Sequence, residues 1–190
     1  MSDTGAPPRV LIVIAAALAA GLAVVVGFFG LTSGDTGDSG DSAAPSQDQP
    51  AQRGPLPLVS IPAPDADSPE CASLLAELPR ELESAGEALP KRELAEPAPD
   101  ATAAWGFDNP VVLRCGLDRP PELTRTSDTR AINDVTWLQV PAEDGTATWY
   151  VIDRPVYVAL TVPPDTGTGP LQLISDIVGT TLPETPLRFD

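Results

Sequence analysis

Few side chains in this sequence have chemistry to offer. Cys71 and Cys115 are the only thiols, Lys91 is the only lysine, and histidine is absent from all 190 residues. That absence removes Ser-His-Asp and Cys-His nucleophile pairs, the imidazole general base and zinc sites of the usual Cys/His kinds. Carboxylate chemistry remains: Glu77, Glu81, Asp134 and Asp153 are among 27 acids from which a glycoside hydrolase could draw its acid and base, although any acidic chain offers such pairs. A serine-lysine dyad would have to use Lys91, which lies in a charged stretch rather than in the apolar pocket that such a base needs. Asp35, Asp38 and Asp41 suggest calcium, but an EF-hand loop wants acids two residues apart, then glycine and a distant glutamate. No metal or cofactor is expected.

Arg114 is the residue singled out as a surface candidate. It sits between Leu113 and Cys115 in an alternating stretch, so its guanidinium leaves the sheet on the side opposite theirs. Tyr157 and Trp105 are candidates to lie near it, and arginine with aromatics is a common composition for the hot spot of a protein partner. The plainer alternative pairs Arg114 with a neighbouring acid and puts Trp105, Trp137 and Trp149 in the core.

Charge narrows the partners. Eleven basic residues against 27 acids give a net charge of -16, which argues against nucleic acid, a ligand bound through clustered Lys and Arg. Residues 56–190 alone hold 22 acids and nine bases, so the part expected to fold is itself acidic. Such a surface suits solubility and disfavours anionic lipid headgroups.

The elements that must position these residues begin with an apolar run. Val10 to Leu31 is 22 residues without a charge, which as a helix spans roughly 33 Å, the thickness of a bilayer core. A cleaved signal peptide has a shorter apolar region, about 7 to 15 residues, ending at a small-x-small site; the nearest candidate, Ser42-Ala43-Ala44, is far downstream. Arg9 on one side and Asp35, Asp38 and Asp41 on the other leave residues 1–9 in the cytoplasm by the positive-inside rule. A single-pass membrane protein with an extracytoplasmic C-terminal domain follows. Ala15, Ala19, Ala23 and Gly27 fall at a spacing that permits close helix packing, so the segment could also carry the contacts of an accessory subunit of a membrane complex. Residues 32–55 contain no large apolar side chain and read as a disordered tether.

From residue 56 the pattern is that of one domain of about 135 residues. Leu56 to Ile61 reads as a short strand. Ser68-Pro69-Glu70 opens a helix with an N-cap, a proline at the first helical position and an acid near the positive dipole end. Its apolar face carries Cys71, Leu74, Leu75, Leu78 and Leu82, with Pro79 kinking it or starting a second turn and Gly86 ending it. Residues 87–101 read as a loop. Strands follow at Val111–Cys115, at Val135–Leu138 (apolar on both sides and so central), at Thr146–Ile152 after the Asp144-Gly145 turn, and at Val156–Val162. A last helix covers about Pro170 to Thr181. Helices at both ends of mostly antiparallel strands predict an α+β two-layer sandwich.

The string Ala103-Ala104-Trp105-Gly106 followed by Pro110-Val111-Val112-Leu113-Arg114-Cys115-Gly116, with Cys71-x-x-Leu74 and Leu78-Pro79 upstream and Val135-x-Trp137 downstream, resembles an actinobacterial family known as domain of unknown function 3515. The resemblance covers roughly residues 56–182. It implies a membrane-anchored or secreted envelope protein and supplies no catalytic residue or ligand. The leading expectation is a noncatalytic, membrane-tethered extracytoplasmic domain that contacts an envelope protein or polymer, the lipid bilayer being engaged through residues 10–31. The competing class is a carboxylate-dependent cell-wall hydrolase.

Cys71 on the helix and Cys115 on the strand both point into the helix-sheet interface. An exported domain is expected to pair them, and closing a loop of about 45 residues would stabilise by roughly 4 kcal/mol on the chain-entropy account; two buried free thiols are the alternative. Thiol titration in denaturant should find no free thiol without reductant and both after reduction, and free thiols before reduction would eliminate the pairing.

Overall fold

A computed structural model describes residues 54–189. The cytoplasmic stretch 1–9, the membrane segment 10–31 and nearly all of the tether 32–55 expected above lie outside the described residues. Among the described residues no helix is long and apolar enough to cross a membrane.

Among the described residues two helices and eight strands follow in the order α1 (Pro69–Glu77), β1 (Glu81–Ser84), β2 (Glu87–Arg92), β3 (Thr102–Trp105), β4 (Val111–Leu117), β5 (Thr129–Ile132), β6 (Val135–Pro141), β7 (Ala147–Val151), β8 (Tyr157–Val162) and α2 (Gly169–Thr181). The strands form one sheet, β1-β2-β3-β4-β8-β7-β6-β5, with every neighbouring pair antiparallel. The first four strands and the last four each build a meander, and the two meanders meet at β4 and β8. The α+β class expected from the sequence is what forms.

Both helices pack on one sheet face. Cys71, Leu74 and Leu78 from the α1 region and Leu171, Ile174 and Val178 from α2 meet Trp105, Leu113, Cys115, Trp137, Val158 and Leu160 in the main core. Trp137 donates its indole N–H to Ser175 Oγ at 2.9 Å, and Ser175 in turn donates to the Leu171 carbonyl at 2.7 Å, so a fully buried polar pair fixes α2 over β6. Cys71 and Cys115 form a disulfide, Cα to Cα 5.6 Å, that joins α1 to β4. Ser68 accepts from the Cys71 N–H at 3.3 Å, which is the N-cap that the Ser-Pro-Glu opening anticipates.

Five sequence expectations change. The first helix stops at Glu77 because Leu78 precedes Pro79 and takes an extended conformation (ψ 136°). Leu82, read as helical, lies in β1 and still reaches the core, since a spacing of four from Leu78 satisfies both a helix and an alternating strand. Residues 87–92, read as loop, form β2, and Gly86 with Ala85 makes the two-residue turn of that hairpin, both at positive φ. Leu56 to Ile61 makes only a single bridge, Leu56 to Leu94, because Pro55, Pro57 and Pro62 remove ladder donors; Val59 and Ile61 stand 81% and 47% exposed. The Val135 strand is second from the edge, outside it the short exposed β5, and the centre belongs to β4 and β8.

The second sheet face is not left open. Leu117, Leu138, Tyr157 and Ala159 are covered by Leu123 and Ile152 and by the C-terminal tail through Phe189. The tail is held where Arg188 donates to the carbonyls of Arg154 and Pro155 and lies over the Tyr157 ring, and where the Thr185 N–H donates to Asp153 O at 2.9 Å. Asp153 and Arg154, both nearly fully buried, pair at 2.9 Å in the β7–β8 connection. Asp153 Oδ2 accepts from the Thr136 N–H, and Arg154 Nη2 donates to the Asp134 carbonyl in the β5–β6 turn.

Gly116 forms a bulge in β4 at φ +81°, where a side-chain β-carbon would collide with the Asp65 and Ala66 backbone of the segment entering α1. Gly86 has nearly the same φ, +84°, with open space around it. Gly86→Ala is therefore expected to cost only about 1–2 kcal/mol of left-handed strain. Gly116→Ala adds the displacement of packed backbone and should exceed it by roughly 2 kcal/mol or more in urea denaturation. Equal losses would eliminate the steric account.

Candidate functional site

The sheet's alternation places Arg114 on the face away from the helices, as the sequence predicts. It is paired across β4 with Thr102 on one side and Ala159 on the other. Half-buried, it lines a cavity of about 150 Å³ together with Ser60, Ile61, Asp100, Thr102 and Leu117. Three things build this cavity: the β3–β4 register, the proline-rich segment laid over the sheet from residue 56, and the loop at Ala98–Asp100. The guanidinium donates through Nη1 to the Val59 carbonyl at 3.2 Å, its one hydrogen bond among the described residues. Among the described residues Arg114 forms no ion pair, and the salt bridge present there is Arg154–Asp153. Burial pulls the Arg114 pKa down from its ordinary value, but an arginine remains charged at neutral pH.

The two aromatics are placed differently. Tyr157 is on Arg114's face, since Leu117 beside it pairs with Tyr157, but the tail covers it: its hydroxyl donates to the Arg188 carbonyl at 3.3 Å, and 7% of it is exposed. Trp105 belongs to the other face. It is fully buried in the helix-side core, with its indole N–H donating to the Pro79 carbonyl at 3.0 Å. The strand period explains this, because Trp105 pairs with Val111, one residue out of phase with the row containing Val112 and Arg114. The exposed companions of Arg114 are instead Val59 and Ile61, aliphatics from a segment the sequence reading assigned to a strand.

The carboxylates proposed for catalysis are not gathered in one place. Glu77 ends α1 and is exposed, Glu81 points outward from β1, and Asp134 occupies the β5–β6 turn at φ +60°. Asp153 is committed to Arg154 and the Thr136 N–H. Among the described residues no group of three or more His, Cys, Asp or Glu is arranged to hold a metal ion.

A larger cavity that sequence reasoning missed, about 530 Å³, opens at the C-terminal end of α2 among Asp134, Asp176, Glu184 and Arg154. Asn133 Nδ2 there donates to Asp176 Oδ1 at 2.8 Å. Among the described residues, Arg154 Nε and Thr185 Oγ1 are buried without a hydrogen-bond partner. No motif announces this cavity, because its residues come from three separate segments.

A family model described as Protein of unknown function (DUF3515) matches residues 16–187. The chain belongs to that family. The DUF3515 match spans both helices and all eight strands and begins inside the apolar run, a wider extent than residues 56–182, where the motifs lie. No curated protein and no solved structure matches the chain.

In this DUF3515 chain Tyr150 lies in the same cross-strand row as Arg114, through Ala159, and is half-buried. Burial, and then the negative charge of Glu122, raises its phenol pKa above the ordinary value. The folded state thus favours the neutral phenol. The stability linked to it is fully present below the free tyrosine value near 10 and is lost as pH rises through the higher folded value. Denaturation midpoints should fall from about pH 10 upward in the wild type and fall less in Tyr150→Phe; identical pH profiles would overturn this.

Proposed function

We propose that this chain is a noncatalytic, membrane-tethered extracytoplasmic domain that binds an envelope protein or polymer through the sheet face at Arg114. The uncharged run Val10 to Leu31, basic only on its N-terminal flank, supports a single-pass anchor with residues 1–9 in the cytoplasm. A disulfide in the folded part suits an oxidising compartment. One observation carries the binding role: a half-buried arginine, in a domain with more than twice as many acids as bases, faces a cavity and makes no salt bridge among the described residues, with exposed Val59 and Ile61 beside it. Arginine beside apolar surface is the composition from which interface hot spots are built. Tyr157 contributes by holding the tail in place, and Trp105 is left to the core.

Crosslinking in intact membranes followed by pulldown tests this. Arg114→Ala should lose partners that wild type captures, while Tyr157→Phe, which removes only the hydroxyl contact to the tail, should keep them. An unchanged profile in Arg114→Ala overturns the proposed surface.

A further inference from the structure

Arg114 is more sparsely bonded than Arg92, Arg154 and Arg188, and like the half-buried Arg119, which donates to the Leu123 carbonyl, it has a single hydrogen bond among the described residues. Arg92 donates to the carbonyls of Gly54 and Phe107 and lies over the Phe107 ring. Arg154 has the Asp153 carboxylate, and Arg188 has two carbonyls and the Tyr157 ring. Arg114 has one neutral carbonyl for a fork of five N–H donors. Desolvation without a salt bridge to offset it is unfavourable, and burial lowers the pKa at this residue. In a chain of net charge -16, where acids are abundant, a cation left in this state leaves donor capacity for something from outside.

Resting on the binding role proposed above, we infer that the cavity at Arg114 receives a carboxylate group presented by the partner. A cavity of about 150 Å³ is small beside the roughly 300–1,000 Å³ of clefts that take whole small-molecule ligands. It accommodates a functional group and not a whole ligand, so the carboxylate is the side chain or terminus of something larger whose remainder lies over Val59 and Ile61. The planar guanidinium matches a carboxylate through two parallel hydrogen bonds. Phosphate also fits such a fork, but Asp100 lines the same cavity. Its negative charge opposes a group carrying nearly two charges more strongly than one carrying a single charge. Asp100 therefore selects for carboxylate.

The test is nitrogen-detected NMR of the arginine side chains in the full chain, held in detergent with the disulfide intact, while acetate or inorganic phosphate is added at constant ionic strength. Acetate should shift the Arg114 Nε signal saturably and with higher affinity than phosphate. Arg114→Lys, which keeps the charge and loses the fork, should bind acetate at least about tenfold more weakly with an unchanged amide spectrum. Asp100→Asn should close the gap between the two anions. Absence of a saturable shift, tighter binding of phosphate, or undiminished binding in Arg114→Lys would each overturn the inference. If partner capture depends on Arg114 but acetate does not bind, the binding face stands and the carboxylate assignment falls. If acetate binds and capture ignores Arg114, the binding face falls and the anion site stands.

Discussion

The disulfide between Cys71 and Cys115 places a covalent tie at the middle of the sheet, on the strand where the two meanders meet. Its neighbours continue the same junction: Gly116 admits the Asp65–Ala66 backbone, the Asp65 N–H donates to the Gly116 carbonyl at 3.0 Å, and the Trp105 indole holds the Pro79 carbonyl where the chain leaves α1. Arg114 is the residue next to this tie. Its backbone is set by covalent and steric constraints on the helix side, which leaves its side chain free of structural duty on the other.

In the second meander the organising contact is ionic. Burying Asp153 and Arg154 costs several kcal/mol of hydration per ion, which their mutual attraction offsets only when the remaining donors and acceptors are also satisfied. Here Asp153 also accepts from β6, Arg154 reaches the β5–β6 turn, and both carbonyls receive donors from the tail. The pair fixes the register of three segments that hydrophobic contacts alone would leave free to slide. The Arg154 Nε without a partner marks the incompleteness of that network.

Most of the sheet could be read from the sequence because its strands alternate cleanly: Val156, Val158 and Leu160 against Tyr157 and Ala159 assigned both faces of β8 correctly. The cysteine pair was readable for the same reason. Reading failed where two periods coincide, as at Leu78 and Leu82, and where charge and proline mask a strand, as in β2 with Pro90, Lys91 and Arg92. Arg114's direction was legible, but its surroundings were not. Val59 and Ile61 reach it from 55 and 53 residues away in sequence, across a segment whose prolines prevent the strand their side chains suggest. Of the two places open to Trp105, beside Arg114 or in the core, the core one forms; its phase relative to Arg114 depends on the length of the turn between β3 and β4.

The strand order also has a kinetic side. A chain emerging from its N-terminus completes β1 to β4 as a local meander, but the partner of β4's free edge is β8, whose paired residues lie forty or more positions later. Until then β4, the seven-residue Val-Val-Leu-Arg-Cys-Gly-Leu strand, is an unpaired edge, and unpaired apolar edges recruit other chains. Arg114 is the charge in the middle of that edge. The residue that faces the cavity in the finished domain is thus also placed to act as a gatekeeper against aggregation while the sheet is half built.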